Sequence, residues 1–299
     1  MTLPDAVRTL APAKVNLWLR VLGRRSDGFH ELDTLFQAVD LCDEVTVARG
    51  PGSGVRLTVE GADLGPPRDN LAYRAALAFR DAAGPAAGSH AVDVRLRKRI
   101  PAGAGLGGGS SDAAAVLRCM NALWASTLSA AVLSEVGASL GSDVAFFLGE
   151  ATLARGRGRG EILEPLPALP PGDLVLVLPP VHVATGPAYG ALARHRAMHG
   201  ADAGLPPPGG GVSWGALAET AVNDFELVVP SAHPPVGAAL VALRGAGASP
   251  ALLSGSGGAC FGAFPDGGAA GAAAALTARL GFPAVVVRTL AAFPEVRPH

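Results

Sequence analysis

Aromatic side chains are scarce, at 5% of 299 residues, and charged residues reach only 16%. The formal net charge is −1. A chain so nearly neutral sets up no global field to draw it to nucleic acid or to an anionic membrane, so neither is expected as a partner. Cysteine is rarer still: Cys42, Cys119 and Cys260 lie far apart with no CxxC spacing. That excludes a zinc ribbon or a disulfide framework and leaves reduced, mostly buried thiols as the expectation. Long apolar runs are missing as well. The longest, from Gly268 to Leu276, is dominated by alanine and too short to cross a bilayer. The first twenty residues reach Lys14 and Asn16 without the apolar core of a signal peptide, so a soluble cytoplasmic protein is expected.

What the chain does have is 49% hydrophobic residues over a length that favours two domains. From Ala13 to Leu22 apolar and polar residues alternate, predicting a half-buried strand with Lys14 and Asn16 side by side on one face. The alternation returns at Val45 to Val47, Val55 to Val59 and Val92 to Leu96, so the first sheet is expected to be mostly antiparallel with one face covered. Asp69 or Asn70 can cap a helix through Arg80, Ser110 or Ser111 one reaching Leu123, and Ser129 a third ending near Gly141. The pattern restarts with a continuous apolar strand from Asp173 to Leu178. With residues 185–232 set aside as an insertion, the remainder reads β-α-β-β-α-β, the ferredoxin-like order. The expected class is α+β, with an N-terminal nucleotide-binding domain over 1–165 and a C-terminal ferredoxin-like domain over 166–299. Gly204 to Gly211 reads as a Pro/Gly loop inside the insertion.

The strongest motif is the run Pro101, Ala102, Gly103, Ala104, Gly105, Leu106, Gly107, Gly108, Gly109, Ser110, Ser111, leading into a helical alanine run. Small residues at a helix start let backbone amides and the helix dipole close on an anion such as a phosphate. Gly103, Gly105 and Gly108 satisfy GxGxxG, but that motif needs a buried parallel strand before it and an acidic residue about twenty positions on. The segment from Val92 to Lys98 alternates instead, with Arg95 and Arg97, and no acid lies near residue 128. A dinucleotide site is therefore rejected. A Walker A loop is rejected too, because no Gly-Lys-Ser/Thr closes the run.

The same loop resembles the nucleotide loop of the GHMP kinase superfamily, as do Pro12-Ala-Lys-Val-Asn-Leu17 and Leu253-Ser-Gly-Ser-Gly-Gly-Ala-Cys-Phe261. Further stretches are similar to the cytidyl-erythritol kinase branch of that superfamily: Arg25-Ser-Asp-Gly-Phe-His-Glu-Leu32, Arg68-Asp-Asn-Leu71, Gly141-Ser-Asp-Val144, Gly160-Glu-Ile-Leu163 and Asn223-Asp-Phe-Glu226. The resemblance implies an N-terminal fold like the second domain of ribosomal protein S5. It also implies transfer of the ATP γ-phosphate to the 2-hydroxyl of 4-diphosphocytidyl-2-C-methyl-D-erythritol, in non-mevalonate isoprenoid synthesis. Alternatives are a homoserine- or mevalonate-type kinase of the same superfamily, or a non-catalytic nucleotide-binding relative.

It further implies Asp143 as the general base and Lys14 as the cation that orients it and steadies the transferring phosphoryl group. Read alone, Lys14 is equally a solvated strand lysine and Asp143 an ordinary turn residue. Asn16 could hold the hydroxyl. Phe29 would stack on the cytosine and His30 read its edge, with phenylalanine where the family usually has tyrosine. Thr185 and Tyr189 resemble the segment carrying a second aromatic wall, though Tyr189 reads equally as a half-buried helix residue. Asn223 and Asp224 are either polyol contacts or a helix cap. Ser254, Gly255, Ser256 and Gly257 would offer amides to a diphosphate, to ATP phosphates, or simply form a hairpin turn. Asn70 and Lys98 are expected on the nucleotide side. Mg²⁺ is expected to arrive held by phosphates and water, with no dedicated metal ligands. The tract from Arg155 to Arg159 reads as a hairpin connection rather than an RNA-binding segment, and His195 with His199 as surface residues.

Overall fold

A computed structural model of the chain describes residues 5–84, 90–125, 128–200 and 211–299. Two sheets organise it. The first half runs β1 (Ala6–Arg24), β2 (His30–Gly50), β3 (Val55–Glu60), α1 (Leu71–Ala83), β4 (Ala91–Arg97), α2 (Gly108–Leu123), α3 (Ala130–Leu140), α4 (Val144–Leu148), β5 (Leu153–Gly158) and β6 (Ile162–Pro165). The second half runs β7 (Asp173–Val177), α5 (Thr185–His199), α6 (Trp214–Thr220), α7 (Val229–Ala232), α8 (Pro234–Gly245), β8 (Ala251–Leu253), β9 (Cys260–Phe264), α9 (Ala269–Leu280), β10 (Ala284–Arg288) and β11 (Arg297–Pro298).

The first sheet has the order β11-β1-β2-β4-β3, with β5 on β2 and β6 on β5. Its pairs are antiparallel except β3 with β4. The second sheet, β10-β7-β9-β8, is antiparallel throughout. Numbered from β7, that is the 4-1-3-2 arrangement of a ferredoxin-like sandwich, as the pattern predicts. β6 ends at Pro165 and β7 begins at Asp173, while the last strand crosses back to pair with β1. Residues 204–210 of the expected Pro/Gly loop lie outside the described residues.

Three apolar clusters hold this together. Phe79, Leu117, Met120 and Phe146 pack α1, α2 and α4 on Val45 and Val94 of the first sheet. Val175, Cys260, Leu240 and Leu276 join the second sheet to α8 and α9. Trp18 and Leu35 meet Leu174, Leu176 and Phe261 where the two sheets face one another. Each fully buried Leu, Val or Phe contributes about 1.5–3 kcal/mol, so the halves are docked firmly. This third cluster corrects the half-buried reading of β1. Lys14, Asn16, Trp18 and Arg20, placed on an open face by alternation, are all buried: Ala13, Val15 and Leu17 pack on the second half, while Lys14 and Asn16 are enclosed by Thr34, Phe36, Gly107 and Asp143 of the first. The three cysteines are unpaired and buried, and burial pushes the Cys42 and Cys119 thiols up to about 12.

Local chemistry explains the helix starts. Asn70 Oδ1 accepts from the Ala72 amide and Ser129 Oγ from the Val132 amide, capping α1 and α3. At α2 the expectation fails. The cap is Gly107, in the left-handed region at φ 71°, and Ser110 and Ser111 lie inside the first turn. A Cβ on Gly107 would press within 3.1 Å of both Lys14 and Phe147. Arg155 and Arg157 belong to β5 rather than to a connection, and the turn begins only after Gly158.

Candidate active site

The glycine-rich segment links β4 to α2 and forms one wall of a cavity of about 490 Å³. Asn70, Lys98, every residue from Pro101 to Ser110, and Asp112 line it. The segment can approach so closely because of Gly105, whose φ is +82° and whose Cβ, if present, would lie 2.0 Å from the Ser254 carbonyl oxygen. Ser254 Oγ donates to the Gly105 carbonyl at 3.0 Å, and the Ala259 amide to the Ala104 carbonyl at 3.0 Å. The two glycine loops, one from each half, therefore interlock. The amides opening α2 have no partner within the helix and face this cavity, a site suited to phosphate. Ser111 is not on the wall: it is buried, and its hydroxyl has no hydrogen-bond partner among the described residues.

Behind the loop Lys98 is buried between two carboxylates, donating to Asp43 and, at 2.7 Å, to Asp112. Asp43 also accepts from the Arg99 and Ile100 amides, fixing the backbone that enters the loop. Burial lifts the Asp112 carboxyl to about 7, with Lys98 opposing the rise and the like charge of Asp43 adding to it. Asn70 spends its side-chain oxygen on the α1 cap.

A second cavity, of about 710 Å³, adjoins the first and shares Gly105, Gly107 and Thr185 with it. At its inner end Lys14 is 4% exposed, donates to Asn16 Oδ1 at 2.6 Å, and lies 3.6 Å from Asp143 Oδ2. Asn16 Nδ2 donates in turn to Thr34 Oγ1 at 2.8 Å, and Thr34 to the Trp18 carbonyl, so the amide is oriented from behind. Asp143 occupies the turn between Gly141, where α3 ends, and α4. Burial drives the Lys14 ammonium below the usual lysine range and the Asp143 charge pulls it back. A reachable carboxylate can take up a hydroxyl proton, and the desolvated cation beside it can steady an incoming phosphoryl group.

At the outer end the β1–β2 turn carries Phe29, 52% exposed, and His30 opens β2. His30 and Tyr189 of α5 stack, with ring centroids 4.4 Å apart and planes 24° apart. Burial and the nearby Arg24 and Arg196 charges lower the His30 pKa, favouring the neutral ring. The Arg159 guanidinium lies 4.8 Å from the Phe29 ring centroid. Thr185 approaches Ser256, at 3.4 Å between hydroxyl oxygens, and both line the cavity with Gly255.

Four sequence-expected contacts fall elsewhere. Asn223 and Asp224 are 2% and 1% exposed. Asn223 Nδ2 donates to the Leu253 and Gly255 carbonyls, and its oxygen accepts from the Phe225 amide. Asp224 accepts from Arg20, Arg196 and the Val21 amide. The cap reading of Asn223 fits; polyol contacts do not, since neither side chain lines the larger cavity. Ser254 is fully buried, and Gly257 presses on the phosphate loop. Conversely, Arg24, Ser142, Arg159 and Phe225 also line the larger cavity; Ser142 and Phe225 lie inside stretches that carry the resemblance, Arg159 in the tract read as a connection, and nothing marked Arg24. Asp112 did carry a signal: a lone carboxylate inside an alanine run directly after the loop.

The GHMP kinases N terminal domain model matches residues 70–150 and the GHMP kinases C terminal model residues 212–280. A 4-diphosphocytidyl-2-C-methyl-D-erythritol kinase of Solibacter usitatus (strain Ellin6076) is 46% identical over 264 residues, which are 86% of this chain and 80% of that protein. A crystal structure of a 4-(cytidine 5'-diphospho)-2C-methyl-D-erythritol kinase superposes with TM-score 0.75 at 38% identity, covering 94% of this chain and 98% of the other. A homoserine kinase from Cytophaga hutchinsonii shares the fold, with TM-score 0.68 at 18% identity and 99% of each chain covered.

Proposed function

The chain belongs to the 4-diphosphocytidyl-2-C-methyl-D-erythritol kinase family of GHMP kinases, and from that premise we propose how its own residues carry out the reaction. The activity is transfer of the ATP γ-phosphate to the 2-hydroxyl of 4-diphosphocytidyl-2-C-methyl-D-erythritol, a step of non-mevalonate isoprenoid precursor synthesis. One observation carries the assignment of roles: buried Lys14 and Asn16, with the half-buried Asp143 beside them, line the larger cavity together with Gly105 and Gly107, which it shares with the phosphate-loop cavity.

ATP lies in the smaller cavity with its phosphates on the amides that open α2. The cytidine lies at the outer end of the larger cavity, against Phe29, His30 and Tyr189, and the erythritol reaches inward to Asn16. Asp143 takes the proton of the 2-hydroxyl as its oxygen attacks the γ-phosphorus, and the bond to the ADP oxygen breaks in line. The Lys14 ammonium stabilises the charge spread over the phosphoryl oxygens and, 3.6 Å from Asp143, helps hold that carboxylate in place. No group of three His, Cys, Asp or Glu side chains that could hold a metal ion occurs among the described residues. Mg²⁺, a hard cation that keeps several waters, would enter on the ATP phosphates. Among the described residues no helix is long and apolar enough to cross a membrane. We place the enzyme in the cytoplasm on the nature of its substrates.

ATP consumption measured with the cytidyl-erythritol substrate, homoserine and mevalonate tests the activity: turnover is expected with the first alone. Asp143→Ala is expected to lower kcat by about 10²–10⁴, the range for a general base, with ATP affinity nearly unchanged. Mild and equal effects on kcat and ATP binding would remove the base from Asp143.

A further inference from the structure

Arg196 lies on α5, seven residues and two turns beyond Tyr189, on the same side of the helix. It makes two directed contacts, one to the Val21 carbonyl and one to the Asp224 carboxylate. Asp224 closes the ring by accepting the Val21 amide at 2.7 Å, and its other oxygen accepts from Arg20 at 2.8 Å. Both backbone groups of Val21 are thus gripped, one by α5 directly and one through Asp224. Val21 stands near the end of β1, just before the turn that carries Phe29 and His30. The same short segment serves two neighbours: Asn223 seats the glycine loop through Gly255, and Phe225 meets the Tyr189 ring edge-on at 4.8 Å.

We propose that Arg196 is a positioning residue that clamps α5 to β1 at Val21 and so sets the width of the slot between the Phe29 ring and Tyr189, whose own ring rests on His30. The inference rests on the reading of that slot as the cytidine site. A fork is needed because the two acceptors, a carbonyl and a carboxylate, belong to different segments; a lysine ammonium is a single point of charge on a flexible stem. Asp224 is the anchor rather than a substrate ligand, which accounts for its complete burial.

The test is steady-state kinetics on Arg196→Met, Arg196→Lys and Tyr189→Ala, with a melting curve for each. Arg196→Met leaves Asp224 paired with Arg20 and with the Val21 amide, so no lone buried carboxylate is created. The expected result is a KM for the cytidyl substrate raised roughly ten-fold, equivalent to about 1.4 kcal/mol, with kcat and the ATP KM within about two-fold. Arg196→Lys, keeping one contact, is expected to recover part of the loss. A parallel fall in kcat and both affinities, tracking a lowered melting temperature, would mean a merely structural role and overturn the proposal. So would an unchanged KM in Arg196→Met while Tyr189→Ala raises it. If Tyr189→Ala also leaves that KM unmoved, the cytidine does not lie in this slot, and the proposal falls with that reading.

Discussion

Asp112 offers the sharpest test of the electrostatics behind the phosphate loop. Its folded pKa is about 7 against an ordinary 3.8, because the carboxyl is buried and faces Asp43 with only Lys98 to offset both. Between about pH 4 and pH 7 the folded chain keeps a proton that the unfolded chain has lost. Stability contributed by this group therefore falls as pH rises through that window and is flat above it. A shift of roughly three pH units corresponds to about 4 kcal/mol, with the attraction of Lys98 already included. Asp112→Asn keeps the shape and an oxygen for Lys98, and its amide can donate toward Asp43, yet it does not titrate. Urea melts of both proteins at pH 5 and pH 8 give the comparison, since other titrating groups cancel in the difference. Because pH 5 already lies more than one pH unit above the unfolded pKa, the variant is expected to gain about 2.5 kcal/mol on the wild type between pH 5 and pH 8. A variant less stable than the wild type at pH 8, or an identical pH response, would refute the reasoning.

Phe29→Ala is expected to raise the KM for the cytidyl substrate about ten-fold or more, since stacking a base on an aromatic ring is worth about 1–3 kcal/mol; an unaltered KM moves the stacking wall elsewhere. Gly105→Ala forces a Cβ against the Ser254 carbonyl at a positive φ. It should cost about 2 kcal/mol or more in stability and weaken ATP binding, and wild-type values in both a thermal melt and an ATP titration would show that the loop relaxes freely.

Local signals were the legible part of this chain. Asn70 and Ser129 cap α1 and α3 as their side-chain chemistry dictates, and the second-half order of strands and helices follows from periodicity alone. The phosphate loop was readable because glycine spacing is a local property. Long-range effects were hidden. Alternation placed Lys14 and Asn16 on one face of β1 but could not show that Phe36, Gly107 and Asp143, distant in the chain, enclose it. The α2 cap was misread because serines are good caps in isolation, whereas the close packing of Lys14 and Phe147 demands Gly107 there. Arg159 and Arg196 were invisible as site residues, since their partners lie more than a hundred positions away for one and on separate segments for the other.

The interlocked glycine turns at Gly105 and Ser254 bear on how such an enzyme can change over time. Neither half can be redesigned, or exchanged for that of a relative, without its neighbour's turn travelling along. A graft carrying one turn alone would bring an ill-matched backbone against the nucleotide's seat, and the phosphate loop would register the mismatch before the reacting groups did.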